Sequence, residues 1–350
     1  MKTEHILIIR FSAIGDVAMT VPVVYSLATQ YPEVRITMLS RPFAKPLFEN
    51  LAPNVGFMEA DIKGEYHGIK GLNALYRRLI AKNFTAIADL HNVLRSDYLR
   101  LRFNLDQYKV AHINKHRSDR RKLIQQNSKV LEPIQSAFDN YAEVFSDLGY
   151  PITYNFKSLF TAEQASLRQL APAIEEKKAF QQWIGIAPFA AHKGKAYPLN
   201  LMEKVIDGLV QRHPSCRIFL FGGGQKEKQQ LEEVSKRHKN CSVVPSLLHN
   251  LHDELVLMQH LDVMVSMDSA NMHLASLVAT PVVSVWGATH PYAGFMGWNQ
   301  KMDNAVQLNM RCRPCSIFGN KPCQRGDYAC LTAIKPDVII NKVEENLLAL

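Results

Sequence analysis

Four segments of the 350-residue chain gather residue types that bind anions or move protons, and each follows an apolar run. In Arg10-Phe11-Ser12-Ala13-Ile14-Gly15-Asp16, small residues and Gly15 make a turn that opens a helix. Free N–H groups at a helix start attract anions and polarised groups. Asp16 falls at or near the N-cap. There it either caps the helix by accepting backbone N–H bonds, or projects as a carboxylate that the positive helix end keeps ionised, as a general base requires. Residues 187–198 carry Lys193-Gly194-Lys195, which suits a phosphate clamp or a solvated loop; the spacing of a P-loop is absent. Gly222-Gly223-Gly224, with Glu227 close behind, lets backbone approach a ligand or a helix but lacks the Gly-x-Gly-x-x-Gly fingerprint. Residues 266–276 put Asp268 and Ser269 at a helix start suited to a diphosphate, with Asp268 able to accept hydroxyl hydrogen bonds. His273 follows within about the second turn, as a ligand contact or a packed helix residue. Residues 286–291 form another loop on the same rim.

Two further features bear on partners. Residues 95–129 hold ten Lys or Arg against three Asp, so most of the net charge of +9 lies there. A focused basic surface fits an anionic partner, and a solvated helix face is the alternative. Cys312, Cys315, Cys323 and Cys330 read C-x2-C-x7-C-x6-C. Four thiols so close can bind zinc, form disulfides or stay free, and the spacing after the first pair is shorter than that of common zinc ribbons.

The elements that must hold these residues follow a strand–helix rhythm. Apolar runs at 5–10, 35–40, 55–60, 85–90 and 108–113 read as strands, as do 183–188, 216–221, 241–245, 262–267 and 281–286. Helical spacing lies between them, as at 17–30, 200–212, 225–238 and 251–260. Alternation of this kind implies parallel sheets in two doubly wound α/β domains, with ligands at the carboxyl ends of the strands. The length fits two domains, and a composition of 47% hydrophobic and 21% charged residues excludes disorder and coiled coil. No stretch approaches the 18 or so apolar residues of a membrane span, and the N-terminal apolar run is too short for a signal peptide, so a cytoplasmic protein is expected.

In order and spacing, residues 10–22, 89–96 (Asp-Leu-His-Asn-Val-Leu-Arg-Ser), 185–198, 221–224 and 266–287 resemble the bacterial ADP-heptose:lipopolysaccharide heptosyltransferases, glycosyltransferase family 9. The resemblance covers nearly the whole chain. It implies a GT-B architecture of two Rossmann-like domains facing across a cleft. Residues 1–175 would bind the acceptor and 176–335 the nucleotide sugar, while 336–350 form a helix returning to the first domain. The implied donor is ADP-L-glycero-β-D-manno-heptose. The implied acceptor is an anionic Kdo- or heptose-bearing lipid A at the inner membrane leaflet. By position, Asp16 matches the catalytic base and Lys195 the lysine on the donor phosphate, with Lys193 beside it. Asp268, Ser269, Ala270 and His273 match the segment holding diphosphate and heptose, and Gly223 and Glu227 the adenosine side. Ser12, Arg117, Arg120 and Arg121 are the expected acceptor contacts. Ala190-Ala191 stand where relatives often carry hydroxyls, and Ser269-Ala270 where many have Thr-Gly or Ser-Gly. These departures bear on the donor sugar, so a transferase of another nucleotide sugar is the rival, beside a non-catalytic sugar-nucleotide-binding regulator. Inversion is expected, because the acceptor hydroxyl would attack opposite the leaving ADP, and metal-independent chemistry is expected, because no Asp-x-Asp motif is present. No cofactor is implied. Nucleic acid is not an expected partner: aromatics in the basic segment are few (Tyr98, Phe103, Tyr108) and no recognised module occurs.

Overall fold

A computed structural model describes residues 4–126 and 129–349. The chain forms two compact units: unit 1 is Met1–Lys115 with Gln135–Leu159, and unit 2 is His116–Ile134 with Phe160–Leu350.

Unit 1 holds β1 (His5–Ile9), β2 (Arg35–Ser40), β3 (Val55–Glu59), β4 (Ala86–Asp89) and β5 (Lys109–His112). All are parallel, in the order β3-β2-β1-β4-β5. Every residue of β1 is buried, as a central strand covered on both faces must be. After β1 come α1 (Ile14–Ala18) and α2 (Val21–Gln30); α3 (Gly68–Ile80) and α4 (Leu94–Leu105) follow β3 and β4. Leu75, Tyr76 and Leu79 of α3 join Leu99 and Phe103 of α4 in the core over β1 and β4.

Unit 2 begins with α5 (Arg117–Ile124), and α6 (Ala137–Asp147) then returns the chain to unit 1, packing on α2. Its sheet contains β6 (Trp183–Ala187), β7 (Arg217–Leu220), β8 (Cys241–Val243), β9 (Val263–Met267), β10 (Val282–Trp286) and β11 (Ala305–Gln307). These are parallel, in the order β11-β10-β9-β6-β7-β8. The helices are α7 (Leu199–Arg212), α8 (Gly224–Arg237), α9 (Val244–Leu247), α10 (Leu251–Gln259), α11 (Ala270–Leu277), α12 (Ala329–Thr332) and α13 (Pro336–Leu347). In each unit the strand order reverses once, between β1 and β4 and between β6 and β9. Open α/β sheets bind ligands at that switch point.

Three boundaries differ from the sequence reading. Residues 116–134 belong to unit 2, not to a 1–175 domain. Leu123 is buried with Ala293 and Ile317, and the Ile134 N–H donates to the Tyr292 carbonyl at 3.0 Å. The units divide at 159/160 rather than 175/176, because His260 Nε2 donates to the Ala165 carbonyl at 2.6 Å and Phe160 meets the His252 ring. The last helix does not make the expected return to the first domain: α13 lies in unit 2, where Ile339, Ile340 and Val343 enter the core beside α7. Gly208 of α7 permits this approach, since a Cβ there would collide with Ile340 Cδ1.

Candidate active site

In unit 1 the switch point is built by the turns after β1 and β4. Asp16 sits in the first turn of α1, its side chain about one-third exposed. Its Oδ2 accepts from the Ala13 N–H at 3.1 Å and pairs with Arg10 Nη2 at 2.8 Å. The capping role and the exposed carboxylate therefore coexist in one side chain. Arg10 is buried; its Nη1 donates to the Leu90 carbonyl at 2.6 Å, and its guanidinium lies 5.8 Å from the Tyr141 ring centre. Burial opposes that charge, but Tyr141 and Asp16 outweigh it and raise the Arg10 pKa above its ordinary value. Tyr141 donates its hydroxyl to the Asp16 carbonyl at 3.4 Å.

His91 lies beneath this turn. Burial, then Arg10 and Lys115, push its pKa down to about 3, so the imidazole is neutral. The Phe11 N–H donates to Nδ1 at 3.4 Å, which places the ring proton on Nε2, 3.4 Å from Ser12 Oγ. Ser12 is half-buried beside Asp16. Asp89, fully buried, shapes the turn that carries His91. Its Oδ1 accepts from the N–H groups of His91 and Asn92, both at 2.9 Å, and Oδ2 pairs with Arg100 at 3.2 Å.

In unit 2 the turns after β6, β9 and β10 converge. Asp268 is buried, and its Oδ2 takes both Lys195 Nζ at 3.1 Å and the Thr289 hydroxyl at 2.8 Å. Ser269 is the N-cap of α11, Ala270 its first residue, and His273 is buried one turn on. Lys195, Asp268, Ser269, Ala270 and His273 thus share one strand-end region. Lys193 points elsewhere, 4.8 Å over the Tyr328 ring, at a cavity of about 450 Å³ that Phe189, Tyr197, Gln230 and Tyr328 also line. Gly223 is the N-cap of α8, and its N–H donates to Glu227 Oε2 at 2.7 Å. Glu227 therefore closes its own helix start.

Sequence reasoning missed the residues that back this region. Arg313, buried, donates to the carbonyls of Gly287, Leu308 and Thr289 and so fixes the loop carrying Thr289. The Ala288 N–H donates to the Gly194 carbonyl at 2.7 Å, tying that loop to the lysine loop. Gly319, at φ +75°, lies against Lys195, and a Cβ there would collide with Lys195 Cγ and Cδ. The signal for Arg313 and Gly319 was their place in the cysteine segment, which the spacing of the cysteines alone did not explain. All six cysteines are unpaired by disulfide, and among the described residues no three potential ligands gather as a metal site. Burial raises the Cys330 thiol to about 11 and lifts Cys315 as well, so both are protonated near neutrality.

The basic segment is also placed differently. Arg120 stacks on Phe295 and Phe318 of unit 2, 5.1 and 5.8 Å from their ring centres, and Lys129 caps the carbonyls of Arg311, Arg313 and Pro314. Arg117 and Arg121 are exposed on α5.

Comparison with known proteins decides the family: the model of glycosyltransferase family 9 (heptosyltransferase) matches residues 72–323. The chain belongs to glycosyltransferase family 9. It is similar to lipopolysaccharide heptosyltransferase 3 of Escherichia coli strain K12, at 25% identity over 302 residues covering 84% of each chain. A family 9 glycosyl transferase from Veillonella parvula superposes with a TM-score of 0.75 at 17% identity, over 100% of this chain and 99% of that one. The E. coli heptosyltransferase WaaC, solved with ADP-2-deoxy-2-fluoro heptose, gives 0.67 at 17% identity, over 98% and 99%. The protein is accordingly a glycosyltransferase of the lipopolysaccharide heptosyltransferase family, and its fold is the GT-B fold of family 9. Among the described residues, no helix is long and apolar enough to cross a membrane.

Proposed function

We propose that this family 9 enzyme transfers heptose from ADP-L-glycero-β-D-manno-heptose to an acceptor in the lipopolysaccharide inner core, with inversion and without a metal ion. The observation that carries the reading is the lysine–aspartate–threonine cluster at the start of α11. Lys195 is a cation held ready by Asp268, and the free N–H groups of 269–271 lie beside it. The diphosphate draws Lys195 from Asp268, and Asp268 accepts hydroxyls of the heptose. Lys193, held over the Tyr328 ring, is not part of this cluster. Positive charge placed where ADP develops negative charge lowers the barrier to its departure. No Asp-x-Asp motif supplies metal ligands. The WaaC complex with a fluorinated ADP-heptose, on the same fold, favours an ADP-heptose donor here.

In the reaction, Asp16 takes the proton of an acceptor hydroxyl while its oxygen bonds to the anomeric carbon. The bond to the β-phosphate oxygen breaks from the opposite face, and ADP keeps the electron pair. A β-linked donor gives an α-linked product. Ser12, which accepts from neutral His91 and so keeps its own O–H to donate, contacts an anionic oxygen of the acceptor. Exposed Arg117 and Arg121 pair with its phosphates or carboxylates.

Incubation with ADP-heptose and defined Kdo- or heptose-terminated acceptors, read by mass spectrometry, is expected to add one heptose. Transfer from a different nucleotide sugar only would overturn the donor. Lys195→Ala is expected to weaken ADP binding about tenfold or more, in line with loss of a charge-assisted bond of about 1.5–3 kcal/mol. Unchanged affinity would remove the lysine from the donor site.

A further inference from the structure

Arg10 ends β1 as a buried guanidinium whose position is fixed from several sides. Its N–H donates to the Leu39 carbonyl at 3.1 Å, and Ser40 Oγ donates to the Arg10 carbonyl at 2.6 Å, so β2 holds the backbone. The side chain joins three further elements: Nη1 meets the Leu90 carbonyl after β4, Nη2 meets Asp16 in α1, and the guanidinium faces the Tyr141 ring of α6. Nε, however, is buried with no hydrogen-bond partner among the described residues. An arginine kept only to stitch a core together is expected to pair every donor, because a buried cation with an orphan N–H is costly. Well-packed apolar side chains would fill such a place at no greater cost.

The terminal nitrogens act on the carboxylate. Asp16 Oδ2 takes Arg10 Nη2 and the Ala13 N–H together, at 2.8 and 3.1 Å. Two donors occupy the lone pairs of that oxygen, so a proton leaving an acceptor hydroxyl is received at Oδ1. A cation so close also favours the ionised form. The other charged and titratable groups nearby are differently engaged. Tyr141 donates to the main-chain carbonyl of Asp16, His91 is neutral with Arg95 acting on it, Asp89 pairs with Arg100, and Lys115 donates to the Asn92 carbonyl at 2.8 Å. Beside the turn at 42–47 that packs on α1, Arg41 lies over the Phe43 ring and Lys45 pairs with Glu49.

We infer that Arg10 is a positioning residue of the transfer reaction: it turns the Asp16 carboxylate so that Oδ1 receives the acceptor proton, and it keeps that carboxylate ionised. The inference rests on the reading of Asp16 as the base.

The test combines a pH profile with a double-mutant cycle, on the full chain with ADP-heptose and a defined acceptor. Arg10→Met keeps a long stem and removes the charge and the donors. It is expected to lower kcat about tenfold or more through the misplaced base, with donor KM and calorimetric ADP affinity as in wild type. The acid limb of its kcat profile should move up by about one pH unit or more, since a carboxylate that loses a neighbouring cation titrates higher. His91 stays outside that limb, because burial is the first cause of its low pKa. Arg10→Lys should restore the limb but only part of kcat, because an ammonium lacks the planar fork that spans the Leu90 carbonyl and Oδ2. In an Asp16→Ala background, Arg10→Met should cost little more, since the two residues act as a unit. A purely structural arginine would slow transfer without moving the limb, and by the same factor in both backgrounds; either result overturns the inference, as does wild-type kcat in Arg10→Met. Near-normal turnover of Asp16→Ala alone overturns the base reading and this inference with it, whereas an inactive Asp16→Ala beside an unmoved limb in Arg10→Met removes only the role of Arg10.

Discussion

The paired groups around Asp16 are chosen for charge state as well as position. Arg10 brings a buried cation to the carboxylate, and His91 remains uncharged below it. The histidine gives a pH dependence whose sign follows from linkage. Its pKa in the fold is about 3, against 6.5 for the ordinary imidazole. The unfolded chain therefore binds an extra proton between those values, so stability falls as pH drops below about 6.5 and is unaffected above it. His91→Gln, which keeps polarity without the proton, should flatten this loss. Relative to the variant, wild type should lose at most about 1.4 kcal/mol per pH unit in that window. Parallel melting curves at pH 7 and pH 5 check this, and equal slopes would mean that His91 titrates normally. Asp16, Lys195 and Asp268 were legible in the sequence because each stands in a short post-strand motif. The roles of Arg10, His91 and Thr289 were not, since Arg10 meets the Leu90 carbonyl 80 residues away and Thr289 meets Asp268 across 21.

Elements buried on both faces were the most legible, because parallel strands read as continuous apolar runs. The expected strand at 35–40 is β2, and that at 262–267 is β9 with one residue more at its start. β11 escaped notice because it spans only Ala305–Gln307 at a sheet edge. The basic stretch 116–134 was assigned to the wrong unit because its charges dominate the composition, while the anchoring is done by Leu123. The cysteine segment proves to be a backing for the lysine loop, and this yields a prediction. Gly319→Ala places a methyl against Lys195 and forces a left-handed residue, so ADP affinity should fall about tenfold, with a stability cost of about 1 kcal/mol from the backbone. Calorimetric titration with ADP, beside a melting curve, checks it. Wild-type affinity would show that Lys195 does not depend on this contact.

Across the molecule, the sheet of unit 2 repeats the five-strand order of unit 1 and adds a sixth strand, and each sheet carries half of the proposed chemistry at its switch point. The last helix completes unit 2. Deleting residues 336–350 removes Ile339, Ile340 and Val343 from its core. At about 1.5–3 kcal/mol for each buried side chain, the loss rivals the whole stability of about 5–15 kcal/mol of a domain. The truncated chain should lose cooperative melting of unit 2 and become sensitive to proteolysis there; an intact unit 2 would restore the sequence-based view that this helix serves the other domain. The two doubly wound α/β domains were legible because the strand–helix rhythm restarts, and the GT-B fold came from the family resemblance, whereas the interleaved boundary at 116–134 depends on tertiary contacts that no local pattern encodes. The reading of the enzyme as a base-assisted transferase is tested most directly by one assay on Asp16→Ala, with heptose transfer followed by mass spectrometry and ADP binding followed by calorimetry. Transfer is expected to fall about 10²–10⁴-fold, the usual worth of a general base, while ADP binds as in wild type. Near-normal turnover in the variant would contradict the assignment of Asp16 as the base.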